Sequence, residues 1–152
     1  MSKAKKVESV KKPAKAKIKN KYIDEIIVEG IIKRKTKISI PDMYQISITS
    51  QDFEMEIELH VELLDLIAKK FDYVFEEKKN LYIKISKNEI KQDLAIFLGK
   101  CSLYDVGSNY FMGSIGGLNI KLTNLTKNIQ LFPPTAEVMV GFFKTMEELQ
   151  KS

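Results

Sequence analysis

His60 is the only histidine in the chain and Cys101 the only cysteine, so imidazole- or thiol-based acid–base, nucleophilic or metal chemistry must be built around these two residues. A histidine acting as general base needs an orienting partner within hydrogen-bond reach. In sequence the candidates are Glu58 and Glu62. Both belong to a run in which glutamates alternate with apolar residues, the pattern of the solvated face of a strand, and that is the expected role here. No tetrahedral set of cysteine and histidine ligands for zinc accompanies His60. Cys101 stands among Phe97, Leu98 and Leu103 with only Lys100 beside it to lower its pKa, so a packed core thiol is expected rather than a nucleophile. Catalytic residues, metals, cofactors and a small-molecule substrate are therefore not expected.

The stretch YFMGSIGGLNIKL, residues 110–122, concentrates three of the seven glycines and raises the possibility of a phosphate-cradling loop. Spacing argues against it. A Walker loop ends in Gly-Lys-Ser or Gly-Lys-Thr, whereas the one Gly-Lys pair, Gly99-Lys100, is followed by Cys101 and has Leu94 where the leading glycine belongs. Gly113, Gly116 and Gly117 lack the dinucleotide-binding order and precede an alternating strand, not a helix N-terminus. They are expected instead to let a barrel strand coil or a neighbouring chain approach. Asn124-Leu125-Thr126 matches a glycosylation sequon that an intracellular chain would not use.

The elements that would position these residues are mostly strands. Residues 22–37 predict a strand, a bend at Gly30 and a second short strand. Tyr44, Ile46 and Ile48, a Ser50-Gln51-Asp52 turn, then Phe53, Met55, Ile57 and Leu59 predict an antiparallel hairpin with one buried face. The period changes at Leu63, Leu66, Ile67, Phe71, Val74 and Phe75, predicting a helix over about 62–75. Leu81, Ile83 and Ile85 return to alternation; 93–105 reads as a buried strand bulged at Gly99; Gly107-Ser108-Asn109 is a turn; 110–122 is a strand; and 136–144, after Pro133-Pro134, is the last strand. A polar end follows. Seven or eight short strands with one inserted helix and no βαβ alternation predict an all-β fold, an OB-fold-like antiparallel barrel.

Length and charge set the outer limits. A chain of 152 residues accommodates one ordinary domain, expected over 22–152, and its apolar runs fall short of the roughly 18–20 residues that span a bilayer, so no membrane partner is expected. One cysteine and a charged start without a following apolar stretch predict a reducing, intracellular compartment. The net charge of +5 is unevenly placed. Residues 1–21 hold Lys3, Lys5, Lys6, Lys11, Lys12, Lys15, Lys17, Lys19 and Lys21 against Glu8, for +8, leaving 16 basic and 19 acidic groups, or −3, on the remaining 131 residues. Such a tail is expected to be disordered, serving either as a solubilising extension or as a contact for nucleic acid or an acidic surface without sequence specificity. Tyr44, Tyr82, Tyr104, Tyr110 and Phe111 could form a base-stacking platform, but the negative remainder favours core packing and a protein interface for them.

Taken in order, SQDFEMEIELHV, LYIKIS, DLAIFLGKCSLYDVG, GSIGGLNIKLTN and AEVMVGFFK resemble the small OB-fold subunit of multisubunit RNA polymerases, the eighth by the eukaryotic count, with an archaeal counterpart. The resemblance rests on Phe53, Met55, Ile57 and Leu59; on Gly99, Lys100 and Tyr104; on Ser114, Gly116, Gly117, Leu118 and Leu122; and on Lys144. It spans about residues 22–144. The long acidic loop of the eukaryotic members is missing between Ile85 and Asp93, which points to the compact archaeal form. The resemblance implies a non-catalytic subunit that docks on the largest polymerase subunit and supports assembly. Its location would be the archaeal cytoplasm, or the nucleus in a eukaryotic host. The implied partner surface is Tyr110, Phe111, Met112, Gly113, Ser114, Gly116, Gly117 and Leu118. The alternative is a free-standing OB-type single-stranded nucleic-acid-binding protein.

Overall fold

The computed structural model describes residues 22–128 and 130–152. The lysine-rich segment 1–21 lies outside the described residues. Eight strands follow in chain order: β1 (Glu25–Lys37), β2 (Met43–Thr49), β3 (Phe53–His60), β4 (Asn80–Ser86), β5 (Phe97–Val106), β6 (Tyr110–Ile115), β7 (Leu118–Asn124) and β8 (Glu137–Phe143). Helix α1 (Val61–Phe71) follows β3, a 3-10 turn occupies Gln92–Leu94, and α2 (Met146–Gln150) ends the chain. The strands close a barrel in the order β1-β2-β3-β7-β6-β5-β8-β4, each pair antiparallel, with β4 returning to β1. The expected antiparallel barrel with its inserted helix is what the chain forms.

Alternation is the physical cause. In the β2–β3 hairpin Ile46 faces Ile57 and Ile48 faces Met55, all buried, while Glu54 and Glu56 point outward. Burying each of these side chains stabilises the fold by roughly 1.5–3 kcal/mol. The interior is completed by Phe75, Phe111, Phe132 and Phe142, with Phe111 and Phe132 edge to face at 5.6 Å between ring centres. β8 is apolar on both faces because each face is covered. Val138, Val140 and Phe142 point into the barrel, and Phe143 is buried outside it in a second cluster with Ile90, Ala95 and Leu149.

Several expectations are corrected. β1 does not bend at Gly30; it is one 13-residue strand, and its irregularity falls between Ile32 and Arg34. The helix stops at Phe71 because Asp72 takes a left-handed conformation (φ 55°) and its N–H donates back to Ala68 O at 3.0 Å. The buried helical positions are Leu64 and Ile67, whereas Leu66 is 56% exposed. Tyr73 and Phe75 still reach the core, but from an extended segment in which alternation, not helical period, turns Val74 outward. The bulge in β5 lies between Leu103 and Asp105, while Gly99 pairs regularly with Val140 and gives room to Ile115. The polar end is ordered as α2, capped by Thr145, whose hydroxyl accepts from Glu148 N–H at 3.1 Å, with Leu149 buried. Finally, residues 110–122 are two strands, β6 and β7, joined by a two-residue loop of Gly116 and Gly117 with φ of +56° and +93°. Positive φ at both positions is the type I′ hairpin turn that matches strand twist, and glycine adopts it without a Cβ clash.

Candidate functional site

The hairpin β6–β7 sorts the predicted interface residues by parity. Phe111 is fully buried against Phe132, Gly113 is buried, and Tyr110, Met112, Ser114 and Leu118 are half-buried. Gly116 and Gly117 stand exposed at the tip, where Gly117 N–H donates to Ser114 Oγ at 3.1 Å. Phe111 is therefore a core residue and not a surface anchor. Gly113 is small for an internal reason: a Cβ there would collide with Cys101 Sγ and sit 2.9 Å from Ser102 O.

Leu118 packs against the core, and of the predicted interface residues Met112 lines a shallow depression across β2, β3, β7, β6 and β5. Its volume is about 190 Å³, and Gln45, Glu56, Glu58, Tyr104, Met112, Asn119 and Lys121 are among its lining residues. The β5 bulge makes it. With one extra residue between Leu103 and Asp105, Tyr104 stands out at 55% exposure, and its hydroxyl donates to Asn119 Oδ1 at 3.2 Å. Glu58 Oε1 accepts from Asn119 N–H at 3.1 Å, just beyond the last β3–β7 pair, Ile57 and Ile120. Tyr110 donates to Asp105 Oδ1 at 3.0 Å, a bond that raises its pKa because the carboxylate favours the protonated phenol; Lys121 Nζ lies 5.8 Å from the Tyr110 ring centre. A depression of this size is smaller than the roughly 300–1,000 Å³ of small-molecule pockets. It presents an aromatic ring and a thioether, Tyr104 and Met112, framed by Glu56 and Glu58 on one side and Lys121 on the other.

The residues weighed for chemistry are accounted for elsewhere. His60 caps α1: its Nδ1 accepts from Glu62 N–H at 3.1 Å, which requires the tautomer with its proton on Nε2. Cys101 is fully buried and its pKa is pushed up to about 11, mainly by burial. Asn124 is 6% exposed, and its Oδ1 accepts from the N–H of Thr126 and of Lys127, both at 3.1 Å, so it serves the turn after β7. Among the described residues no cluster of three or more His, Cys, Asp or Glu could hold a metal ion, and no helix is long and apolar enough to cross a membrane.

Sequence reasoning missed one charged feature. The last five residues of β1, Lys33-Arg34-Lys35-Thr36-Lys37, are all exposed, and the total of −3 for residues 22–152 conceals them. The signal was present as four cations in five residues.

Fold and surface together define a small closed antiparallel β-barrel with a packed interior and its distinctive chemistry on the outer face. In comparisons with known proteins, no family model matches the chain and no curated protein matches it.

Proposed function

We propose that the barrel is a non-catalytic subunit of a multisubunit DNA-directed RNA polymerase, docking on the largest subunit and supporting assembly of the transcribing enzyme. The reading rests on the resemblance carried by Phe53–Leu59, Gly99–Tyr104 and Ser114–Leu122. The observation that carries it furthest is the uncharged centre of the outer depression, Tyr104 and Met112, between Glu58 on one strand and Lys121 on another. A partially desolvated ring and thioether inside a charged rim suit a permanent protein interface. The compact loop between Ile85 and Asp93 favours an archaeal host, hence the cytoplasm.

A tagged pulldown from the native host at moderate salt, with nuclease treatment, tests the reading. Stoichiometric large polymerase subunits are expected, and Tyr104→Ala combined with Met112→Asp is expected to reduce their recovery at least tenfold while the barrel still melts cooperatively. Recovery without polymerase chains overturns it.

A free-standing single-strand nucleic-acid binder is the second reading. It is favoured by the surface pairs of cation and tyrosine ring, Lys35 with Tyr44 at 5.0 Å and Lys121 with Tyr110. Partners lost on nuclease treatment would support it.

A further inference from the structure

The exposed end of β1 is an open sheet edge inside an otherwise closed barrel. On one side β1 pairs with β2 from Ile31 to Lys37. On the other side it pairs with β4 only from Glu25 to Ile31, and the last backbone bonds there are Ile32 N–H to Lys79 O at 2.9 Å and Lys78 N–H to Ile32 O at 2.8 Å. Among the described residues no strand continues that side past Ile32. Ile38 N–H donates to Met43 O at 3.2 Å, so the peptide groups of residue 38 face β2. Alternation then turns the N–H and C=O of Thr36 toward β2 and those of Lys35 and Lys37 away from it. The free edge therefore offers two donors and two acceptors at strand spacing.

Side chains set what this edge accepts. The bulge between Ile32 and Arg34 adds one residue, so Arg34 pairs with outward-facing Ser47, and Lys35 pairs with inward-facing Ile46. Cations thus project to both sides of the edge. The carboxylate paired with them is Glu54, 3.8 Å from Lys33, with both side chains about half exposed. That pair is weak in water. Lysines at a sheet edge discourage a second copy of the same strand, since like charges would meet face to face.

We propose that residues 33–37 of β1 bind an extended acidic peptide segment of a partner chain, added as an antiparallel or parallel strand on the open edge. A peptide strand supplies both donors and acceptors to the Lys35 and Lys37 backbone, and its Glu or Asp side chains meet Lys33, Arg34, Lys35 and Lys37. A phosphodiester backbone answers the cations but leaves the outward carbonyls unbonded. The inference is independent of the polymerase reading: it asks for a partner chemistry, not a named assembly.

The test uses the full-length ¹⁵N-labelled protein and a synthetic eight-residue peptide of alternating Glu and Val, followed by amide spectra and amide exchange. Expected are shifts centred on residues 33–37 and at least tenfold slower exchange at Lys35 and Lys37. Charge reversal of Lys33, Arg34 and Lys35 to Glu is expected to weaken binding at least tenfold. Lys35→Pro, which removes an outward donor without touching the β2 ladder, is expected to weaken it at least fivefold, and Lys35→Arg to preserve it. Unchanged exchange at Lys35 and Lys37 overturns the proposal. So does a twenty-residue oligothymidylate that binds these cations more tightly than the peptide and leaves both amides unprotected.

Discussion

Cys101 shows how burial decides the chemistry of a single residue. Its sulfur packs beside Gly113, with no exposed surface and a pKa pushed up to about 11. At pH 9 only about one thiol in a hundred would be ionised, and the thiolate is the nucleophile. Alkylation by iodoacetamide at pH 9 should therefore be at least about fiftyfold slower than for the unfolded chain, whose thiol is about half ionised there, and mass spectrometry with and without denaturant measures the difference. The sign of the linkage follows: a pKa raised by folding contributes stability fully present below the unfolded value near 9 and lost as pH rises through about 11. The apolar neighbours of Cys101 made its burial legible in sequence. The use of His60 as a helix cap was not, since a histidine between glutamates on a strand carries no sign that the next residue begins a helix. Its replacement by Ala should cost about 0.5–2 kcal/mol in urea unfolding, the usual loss for a missing N-cap.

At the scale of elements, the hairpin β6–β7 separates local from tertiary information. Gly116-Gly117 is a two-residue hairpin signal, but the apolar residues on either side, from Tyr110 to Leu122, read as well as one coiled strand. The positive φ of both glycines decides in favour of the turn. Nothing lies within 4 Å of a Cβ built at either, so strain there comes from the backbone alone. Gly117→Val should destabilise the protein by at least about 1 kcal/mol, whereas Gly116→Asn, a residue that tolerates the left-handed region, should cost less. Comparing the two variants by thermal unfolding separates backbone strain from packing. Helix α1 makes the same point in reverse: hydrophobic spacing ran on through Val74 and Phe75, but the left-handed turn at Asp72 ended the helix and the last two residues changed period.

For the whole molecule, closure of the barrel turns strand parity into a division between core and surface. Neighbours in sequence take opposite roles: Phe111 fills the interior with Phe132, and Met112 faces the outer depression. Phe111→Ala should cost about 3–5 kcal/mol through the cavity it leaves, and Met112→Ala less than about 1 kcal/mol. Denaturant midpoints measure both. If Met112 lies in the proposed polymerase interface, its variant should lose partner recovery without losing stability.

Alternating apolar residues by themselves dictated that this chain forms strands, that the 53–59 run buries one face, and that the result is an antiparallel barrel, because a half-apolar strand is stable only when that face leaves water. Local pattern also excluded a nucleotide loop, through the residues flanking Gly99 and Gly113. Closure placed β1 beside β4 and β3 beside β7, joining residues far apart in sequence, and only there did the depression around Tyr104 and Met112 form. The bulges at Ile32/Arg34 and Leu103/Asp105 likewise belong to pairs of strands, so no single segment announces them. The free edge at Lys33–Lys37 exists because β1 outruns its partner β4, a difference in strand length that is defined only once the two are paired.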